Sequence, residues 1–455
     1  MTKMRKGGRS ALAWTVKGLL LLAIAVVARA GLPLSFAPVV NVSLGPPDCT
    51  ADVDCSAGAL ETAAGDFNND GKLDIASANS ASDDVTILLG DGQGGLTWHF
   101  SATATGGPAG IAAGKLNDDP ALDLVVSKEL DDTIGVFLGH GDGTFADEVT
   151  YDMGTSPEAV VLADFNNDTK LDVAVTDLFG ETVSVRLGNG DGTFGELMQT
   201  VVAGAPYGMA AAKLDSDNNI DLAVSLYDDG LLATLFGQGD GTFVYGGTAS
   251  AAILDDSPRG VALADFNHDG KVDAAVATES FDTVDVLFGN GDGTFQPLTP
   301  YIVGGFPESV AAGDYNGDGI IDLASADSFG VGDFDGSASV LVGKGDGTFQ
   351  DAQSFEVDAG AFGITAADLN GDRLPDLVTA NIDVATVSVL VNTICVGDCN
   401  NDGMVSIDEL ITGVNIALGS LPISSCPAFD QNGDGMVGIN ELITAVNNAL
   451  NGCPA

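Results

Sequence analysis

A nine-residue pattern of acids and amides recurs seven times in this chain. It reads DFNNDGKLD at 66–74, KLNDDPALD at 115–123, DFNNDTKLD at 164–172, KLDSDNNID at 213–221, DFNHDGKVD at 265–273, DYNGDGIID at 314–322 and DLNGDRLPD at 368–376. In the form Asp-x-Asn-x-Asp-Gly-x-apolar-Asp, side-chain oxygens at positions 1, 3, 5 and 9 and the carbonyl at position 7 can surround a hard cation. Glycine at position 6 supplies the sharp turn. Five copies keep the full donor set. These are Asp66, Asn68, Asp70, Lys72 and Asp74; Asp164, Asn166, Asp168, Lys170 and Asp172; Asp265, Asn267, Asp269, Lys271 and Asp273; Asp314, Asn316, Asp318, Ile320 and Asp322; and Asp368, Asn370, Asp372, Leu374 and Asp376, with the seventh-position residue acting through its carbonyl. The chemistry is binding of about five Ca2+ ions that stiffen loops. Lys115 and Lys213 stand at position 1 of the other two copies. Their ammonium groups are expected to replace the ion by pairing with Asn117, Asp119 and Asp123, and with Asp215, Asp217 and Asp221. Thr169 and Arg373 replace the glycine, which is expected to weaken those two loops.

A second repeat closes the chain. DCNNDGMVSIDE at 398–409 and DQNGDGMVGINE at 430–441 fit the twelve-residue calcium loop of an EF-hand. Asp398, Asn400, Asp402, Ser406, Glu409 and the Met404 carbonyl form one donor set. Asp430, Asn432, Asp434, Glu441 and the Met436 carbonyl form the other, with Gly438 leaving position 9 to water. Two further Ca2+ ions are expected here. Each loop leads into a helical pattern, with Leu410, Ile411, Val414 and Leu418 on one face of the first and Leu442, Ile443, Val446 and Leu450 repeating it. No helical pattern precedes either loop.

Catalytic signatures are absent from the sequence. His99, His140 and His268 are the three histidines, and the last two occupy positions that other repeats fill with Asp, Asn, Gln or Gly. No nucleophile elbow, phosphate-binding loop or zinc pattern occurs, so no catalytic residue is assigned. The six cysteines are Cys49, Cys55, Cys395, Cys399, Cys426 and Cys453, an even number that suggests disulfides. Cys49 and Cys55 are expected to staple one loop and the other four to brace the C-terminal domain, with a zinc site as the alternative for Cys395 and Cys399.

These loops need elements to carry them. Copies of the nonapeptide start about 49 residues apart, and each of the first six is followed by a glycine turn such as LGHGDGTF or FGNGDGTF. Between the motifs lie short runs rich in Val, Leu, Ile and Ala, bounded by Gly, Asp and Asn, which read as about four strands per unit. That is the content of a propeller blade, so the chain reads as an all-β, seven-bladed propeller over 31–394 with a small α-helical paired EF-hand domain over 395–455. A parallel β-helix would need a tandem nine-residue period and is excluded. The seventh unit lacks its GDGTF strand, while FAPVVNVSLG at 36–45 aligns with FADEVTYDMG at 145–154. Residues 36–45 are therefore expected to close the ring.

The chain of 455 residues carries 16 Lys and Arg against 65 Asp and Glu, a formal charge of −49. Such a polymer repels nucleic acid and anionic membranes and attracts cations. The first 30 residues hold basic residues, an apolar run from Gly18 to Val27 and Ala28-Arg29-Ala30, which together read as a secretory signal peptide. The run is too short to span a membrane comfortably. A secreted or cell-surface location follows, with no membrane span after cleavage.

The seven calcium loops followed by GDGTF resemble the FG-GAP/VCBS repeats of bacterial exported proteins and the calcium-loop blades of integrin alpha-subunit propellers. That resemblance implies calcium loops between the first two strands of each blade and a role in adhesion or ligand binding, although some similar propellers are polysaccharide lyases. The C-terminal pair resembles a dockerin, which implies docking to a cohesin-like receptor. Position 12 is Glu where such modules usually carry Asp, and positions 10 and 11 are Ile407-Asp408 and Ile439-Asn440, not Ser or Thr. A disulfide-braced domain that packs on the propeller is the alternative. The expected function is a non-catalytic, calcium-binding module for a glycan or extracellular protein. The alternatives are a polysaccharide-active lyase or hydrolase, whose cleft would come from the long loops Ala251 to Pro258 and Asp327 to Ser337, and a structural surface protein.

Overall fold

The computed structural model describes residues 34–45, 58–246, 252–253, 257–330, 336–393, 395–399, 404–430 and 435–451. The N-terminal leader and Cys49, Cys55 and Cys453 lie outside them, as do Asn400, Asp402, Asn432 and Asp434.

Seven antiparallel sheets follow one another along the chain. The first blade is representative. Its strands are Ala59–Gly65, Asp74–Asn79, Asp84–Gly90 and Leu96–Thr103, paired in that order. The second strand is wholly buried in six blades, as in Asp74–Asn79 and Asp172–Asp177, and in the sixth all but its last two residues are buried. This accounts for runs such as Val173-Ala174-Val175, which show no alternation because both faces meet a neighbouring blade. The outermost strand is the wettest, as in Val149–Asp152, where only Tyr151 is half-buried. In the fourth blade the short strand Ala252–Ile253 also pairs with Leu231–Gly237.

The innermost strands are Ala59–Gly65, Pro108–Gly114, Pro157–Ala163, Pro206–Ala212, Pro258–Ala264, Gly305–Gly313 and Ala361–Ala367. Each contacts the next, and the last contacts the first, so they form a closed circle. The outermost strand of the seventh blade is N-terminal. Val40–Ser43 runs antiparallel to Thr386–Leu390 with Val42 opposite Val387, and Phe36 bridges Asn392.

Hydroxyl groups lock adjacent blades. Ser127, Thr176 and Ser225, on second strands, donate to the carbonyls of Glu158, Tyr207 and Arg259 on the next blade's innermost strand. These bonds fix the backbone of the residues that line the axis.

The C-terminal segment holds two short helices, α1 (Ile407–Ala417) and α2 (Ile439–Asn451), which pack on each other. Ser406 caps α1 in a capping box with Glu409. A disulfide joins Cys399 to Cys426, Cys395 is disulfide-bonded too, and no described cysteine is free. The helices face the core differently from the sequence pattern. Leu410 and Leu442 turn toward the cluster of Val396, Phe429, Val437 and Ala445, whereas Ile411, Val414, Leu418, Ile443, Val446 and Leu450 are all exposed. The inner face of α1 is built around Gly413, where a Cβ would come within 2.3 Å of the Phe429 ring. A small-residue face therefore packs on Phe429, and the aliphatic stripe is left outside.

Candidate functional site: loops at one end, a lined cavity at the other

In an antiparallel meander, the loop between strands one and two and the turn between strands three and four share one end of the blade. The turn between strands two and three and the link to the next blade share the other. The nonapeptides and the GDGTF turns accordingly share one face of the ring.

Five nonapeptides, those beginning at Asp66, Asp164, Asp265, Asp314 and Asp368, have the same internal bonding. Asp66 accepts from the Asp70 and Gly71 amides at 3.0 and 2.9 Å, Asn68 from Asp70 at 2.9 Å, and Asp70 from Lys72 at 3.0 Å. Asp164, Asp265, Asp314 and Asp368 hold the position-5 amide of their own loops in the same way. The position-1, -3 and -5 oxygens are thus turned into the concave side of each loop. Position 6 lies in the left-handed region in all five, at φ 84° for Gly71, 75° for Thr169 and 74° for Arg373. Position 4 is left-handed as well, at Asn69, Asn167, His268, Gly317 and Gly371.

The position-9 aspartate does more than face the loop. Asp74 is fully buried, and its two oxygens accept from the Phe67 amide at 2.9 Å and the Gly90 amide at 2.8 Å. Asp123, Asp172, Asp221, Asp273, Asp322 and Asp376 repeat this staple between the loop and the third strand. Each oxygen keeps a lone pair for a cation. Burial pushes Asp273 up to about 6 and Asp322 and Asp376 to about 7, and the position-1 and -5 carboxylates add repulsion. A cation in the loop would reverse that balance.

The two lysine loops correct one expectation. Lys115 and Lys213 are exposed, and neither makes an ion pair among the described residues. Both loops lack the left-handed turn at position 4, and a lysine at position 1 has no acceptor to hold the position-5 and position-6 amides, so its side chain extends into solvent. In the fourth blade, the oxygens of Asp215, Asp217 and Asp221 lie within 4.8 Å of one another without the lysine.

GDGTF turns clasp the preceding blade's loop. Gly143 donates to the Phe67 carbonyl at 3.0 Å, Gly192 to Leu116 at 2.9 Å and Gly293 to Leu214 at 2.9 Å. The FG-GAP-like repeat profile matches residues 66–126, 115–175, 164–224, 265–325 and 314–379, each match opening on a nonapeptide. The chain belongs to the FG-GAP-like repeat family. Two crystal structures of BBS1N in complex with ARL6DN, soaked with lead and with mercury, are similar to this FG-GAP propeller. They are 12% and 11% identical, cover 78% of this chain and 96% of their own, and have TM-scores of 0.53 and 0.54. That likeness is one of fold alone. A functionally unknown protein from Desulfotomaculum acetoxidans DSM 771 aligns at 10% identity over 69% of this chain and 93% of its own, with a TM-score of 0.48. Sequence comparison with curated proteins finds no match.

In the C-terminal segment, Glu409 is buried and accepts from the amides of Cys399 at 2.8 Å and Ser406 at 2.7 Å. Glu441, also buried, accepts from Gly438 at 2.6 Å, and Asp430 from Gly435 at 3.0 Å. Glu409 therefore reaches back to the start of its loop, and Glu441 to the residue before its helix. Asp398 is buried, while Met404 and Met436 are exposed.

The opposite face of the FG-GAP propeller carries what the motifs do not announce. Leu130, Phe179, Phe281 and Phe329, on or beside the turns between second and third strands, are exposed, as is Phe306, which packs edge-on against Phe329 at 5.1 Å. Inside this rim the axis opens into a cavity of about 530 Å³. The second residue of each innermost strand lines it: Leu60, Ala109, Glu158, Tyr207 and Arg259, with Phe362 in the seventh blade and the equivalent Glu308 in the sixth. Arg259 binds Glu279 at 2.7 Å, approaches Glu308 at 3.3 Å, and lies 4.6 and 4.8 Å from the ring centres of Tyr207 and Tyr227. Burial pushes Glu158 up to about 8, with Glu129 adding to the shift, and raises Glu61 to about 7. Sequence reasoning missed this ring. Its signal is the residue after the inner-strand proline or alanine, which changes character from blade to blade while its neighbours stay alike. All three histidines are exposed and lie away from the cavity.

Proposed function

We propose that this FG-GAP propeller is an exported, calcium-loaded binding module that holds a glycan or extracellular protein and catalyses no reaction. The observation that carries the reading is the exposed rim of Leu130, Phe179, Phe281, Phe306 and Phe329 on the face away from the calcium loops. Exposed aromatic rings grouped on one face of a rigid ring suit the apolar faces of sugars or an apolar protein patch. The five uniform nonapeptides, with their inward oxygens, would each hold a Ca2+ ion, as would the two C-terminal loops. The ions would stiffen the scaffold from below without touching the ligand.

The C-terminal helices fit a docking role. Ile407, Ile411, Val414 and Leu418 on α1 are matched by Ile439, Ile443, Val446 and Leu450 on α2, all exposed at identical spacing. This duplicated stripe suits a cohesin-like receptor, as in a dockerin. The leader pattern and the Cys399–Cys426 disulfide favour an oxidising location, secreted or at the cell surface.

Protein beginning at Gly31, in calcium, is to be tested against plant and microbial polysaccharides for retention and for new chain ends. Retention without new ends, lost in Phe179→Ala/Phe281→Ala and in chelator, is expected. New chain ends would overturn the non-catalytic reading. Ile411→Asp/Ile443→Asp should leave retention intact and abolish capture by a cohesin-type domain.

A further inference from the structure

The axial cavity is lined by more acids than bases, beside an apolar wall. Arg259 is already matched by Glu279 and Glu308. Glu61, Glu129 and Glu158 also line the cavity, and none of them has an ion-pair partner among the described residues. Glu308 is only 8% exposed, and its Oε2 accepts no hydrogen bond despite its proximity to Arg259. Leu60, Ile111, Phe362 and Ile382 form the apolar wall. Buried carboxyl groups without a counter-charge keep their protons, as Glu158 and Glu61 do, and a cation placed among them would let them ionise and hold it. A volume of about 530 Å³ falls in the usual range of small-molecule sites.

We propose that this cavity is a binding site for one small organic cation, an amidinium, guanidinium or primary ammonium group on a compact apolar body, held by Glu158 and Glu61 with its body against Leu60 and Phe362. An anion would meet a surplus of carboxylates. A neutral molecule would leave Glu158 and Glu61 protonated and would gain no charge-assisted hydrogen bond. An inorganic ion would fill a small part of the space and leave the apolar wall wet. The site is separate from the calcium loops: Glu158 stands six residues before Asp164 on an extended strand, roughly 20 Å away. It is also separate from the aromatic rim proposed to hold a polymer.

The test is calorimetric titration of the protein from Gly31 onward in saturating calcium and about 0.15 M salt, which screens the exposed acids. The probe is benzamidine, with benzamide and benzoate as the neutral and anionic controls of the same shape. One saturable benzamidine site is expected, with no saturable heat from either control. Glu158→Gln should weaken binding by about tenfold or more, as loss of a charge-assisted hydrogen bond does. Glu196→Gln, on the outer strand of the same blade, should not change it. Glu61→Gln serves as the second variant if Glu158→Gln fails to fold. Equal binding of benzamide, absence of a saturable site, or unchanged affinity in both cavity variants would overturn the proposal. None of these outcomes bears on polysaccharide retention.

Discussion

Position 6 of the nonapeptide needs a left-handed backbone, and the copies meet that need unequally. Gly71, Gly270 and Gly319 adopt it freely, and a Cβ there would meet nothing within 4 Å, so only the dihedral itself excludes a side chain. Thr169 adopts it at φ 75°, where a β-branched residue is strained. Thr169→Gly is therefore expected to stabilise the protein by about 1 kcal/mol and to tighten calcium binding in the third blade, and Gly71→Thr to do the reverse. Thermal denaturation at fixed free calcium, with and without the swap, measures both. This much is legible in sequence because a left-handed turn selects Gly, Asn or Asp. At position 4 residue type does not decide: His268 is left-handed and Asp118 is not. The direction of the lysine side chains is not legible in sequence, because charge complementarity says nothing of whether a loop's path lets a side chain turn inward. Glu158 has its pKa raised to about 8 by burial, then by Glu129, with Arg259 opposing. The native state thus holds a proton that the unfolded chain releases near the ordinary glutamate range of about 4.3. Stability from this group is full below that range, declines as pH rises through it, and levels off above about 8. In saturating calcium, Glu158→Gln should leave the melting temperature near pH 4 almost unchanged, raise it by several degrees at pH 8, and flatten the slope between. An unaltered slope would show that Glu158 ionises freely.

At the scale of elements, what the sequence makes visible is period, and what it hides is orientation. Four short strands per 49 residues, bounded by Gly and Asp turns, can be counted from the chain because strand length and turn chemistry are local properties. The buried second strands are legible for the same reason, as short unbroken apolar runs. The C-terminal helices are the counterexample. A helical wheel puts Ile411, Val414 and Leu418 on an apolar face, and the usual inference turns such a face inward. Here the core is set by one aromatic ring: Phe429 is fully buried and rests on the bare backbone of Gly413 and beside Gly397. A ring against glycine fills the interface so closely that the helix turns its small side to the core. Gly413→Ala places a methyl group about 2.3 Å from that ring and, by overpacking, should destabilise the C-terminal segment by about 1–3 kcal/mol. The higher helix propensity of alanine would otherwise favour the change, so the sign decides which effect dominates. Limited proteolysis near Cys395, which reports this segment without the propeller, should accelerate in the variant. If α1 instead melts later than in the parent protein, the packing of Phe429 on Gly413 is looser than the geometry requires.

For the whole molecule, the question is what keeps a ring of seven nearly equal units from opening. Neighbouring blades share apolar clusters, reinforced at several interfaces by hydroxyl locks and glycine-turn clasps, so the interface set apart is the one the chain must close. Val40–Ser43 fills that gap as the outer strand of the seventh blade. Leu44 behind it is 3% exposed, and Phe36 packs edge-on against Phe355 at 4.9 Å. Burial of Leu44 alone is worth about 1.5–3 kcal/mol. Without this segment, Thr386–Leu390 would become an edge strand with its hydrogen-bonding groups open to another chain. A protein beginning at residue 46 is thus expected to melt at least several degrees below one beginning at Gly31. It should also self-associate with rising concentration, as seen by sedimentation. A peptide of residues 36–45 added in trans should restore the monomer and part of the lost melting temperature, because the groove it fills is defined by the register of Val42 with Val387. A truncated chain that stayed monomeric and melted at the parent temperature would mean that the three remaining strands of the seventh blade suffice, and that closure rests on the inner circle of strands alone.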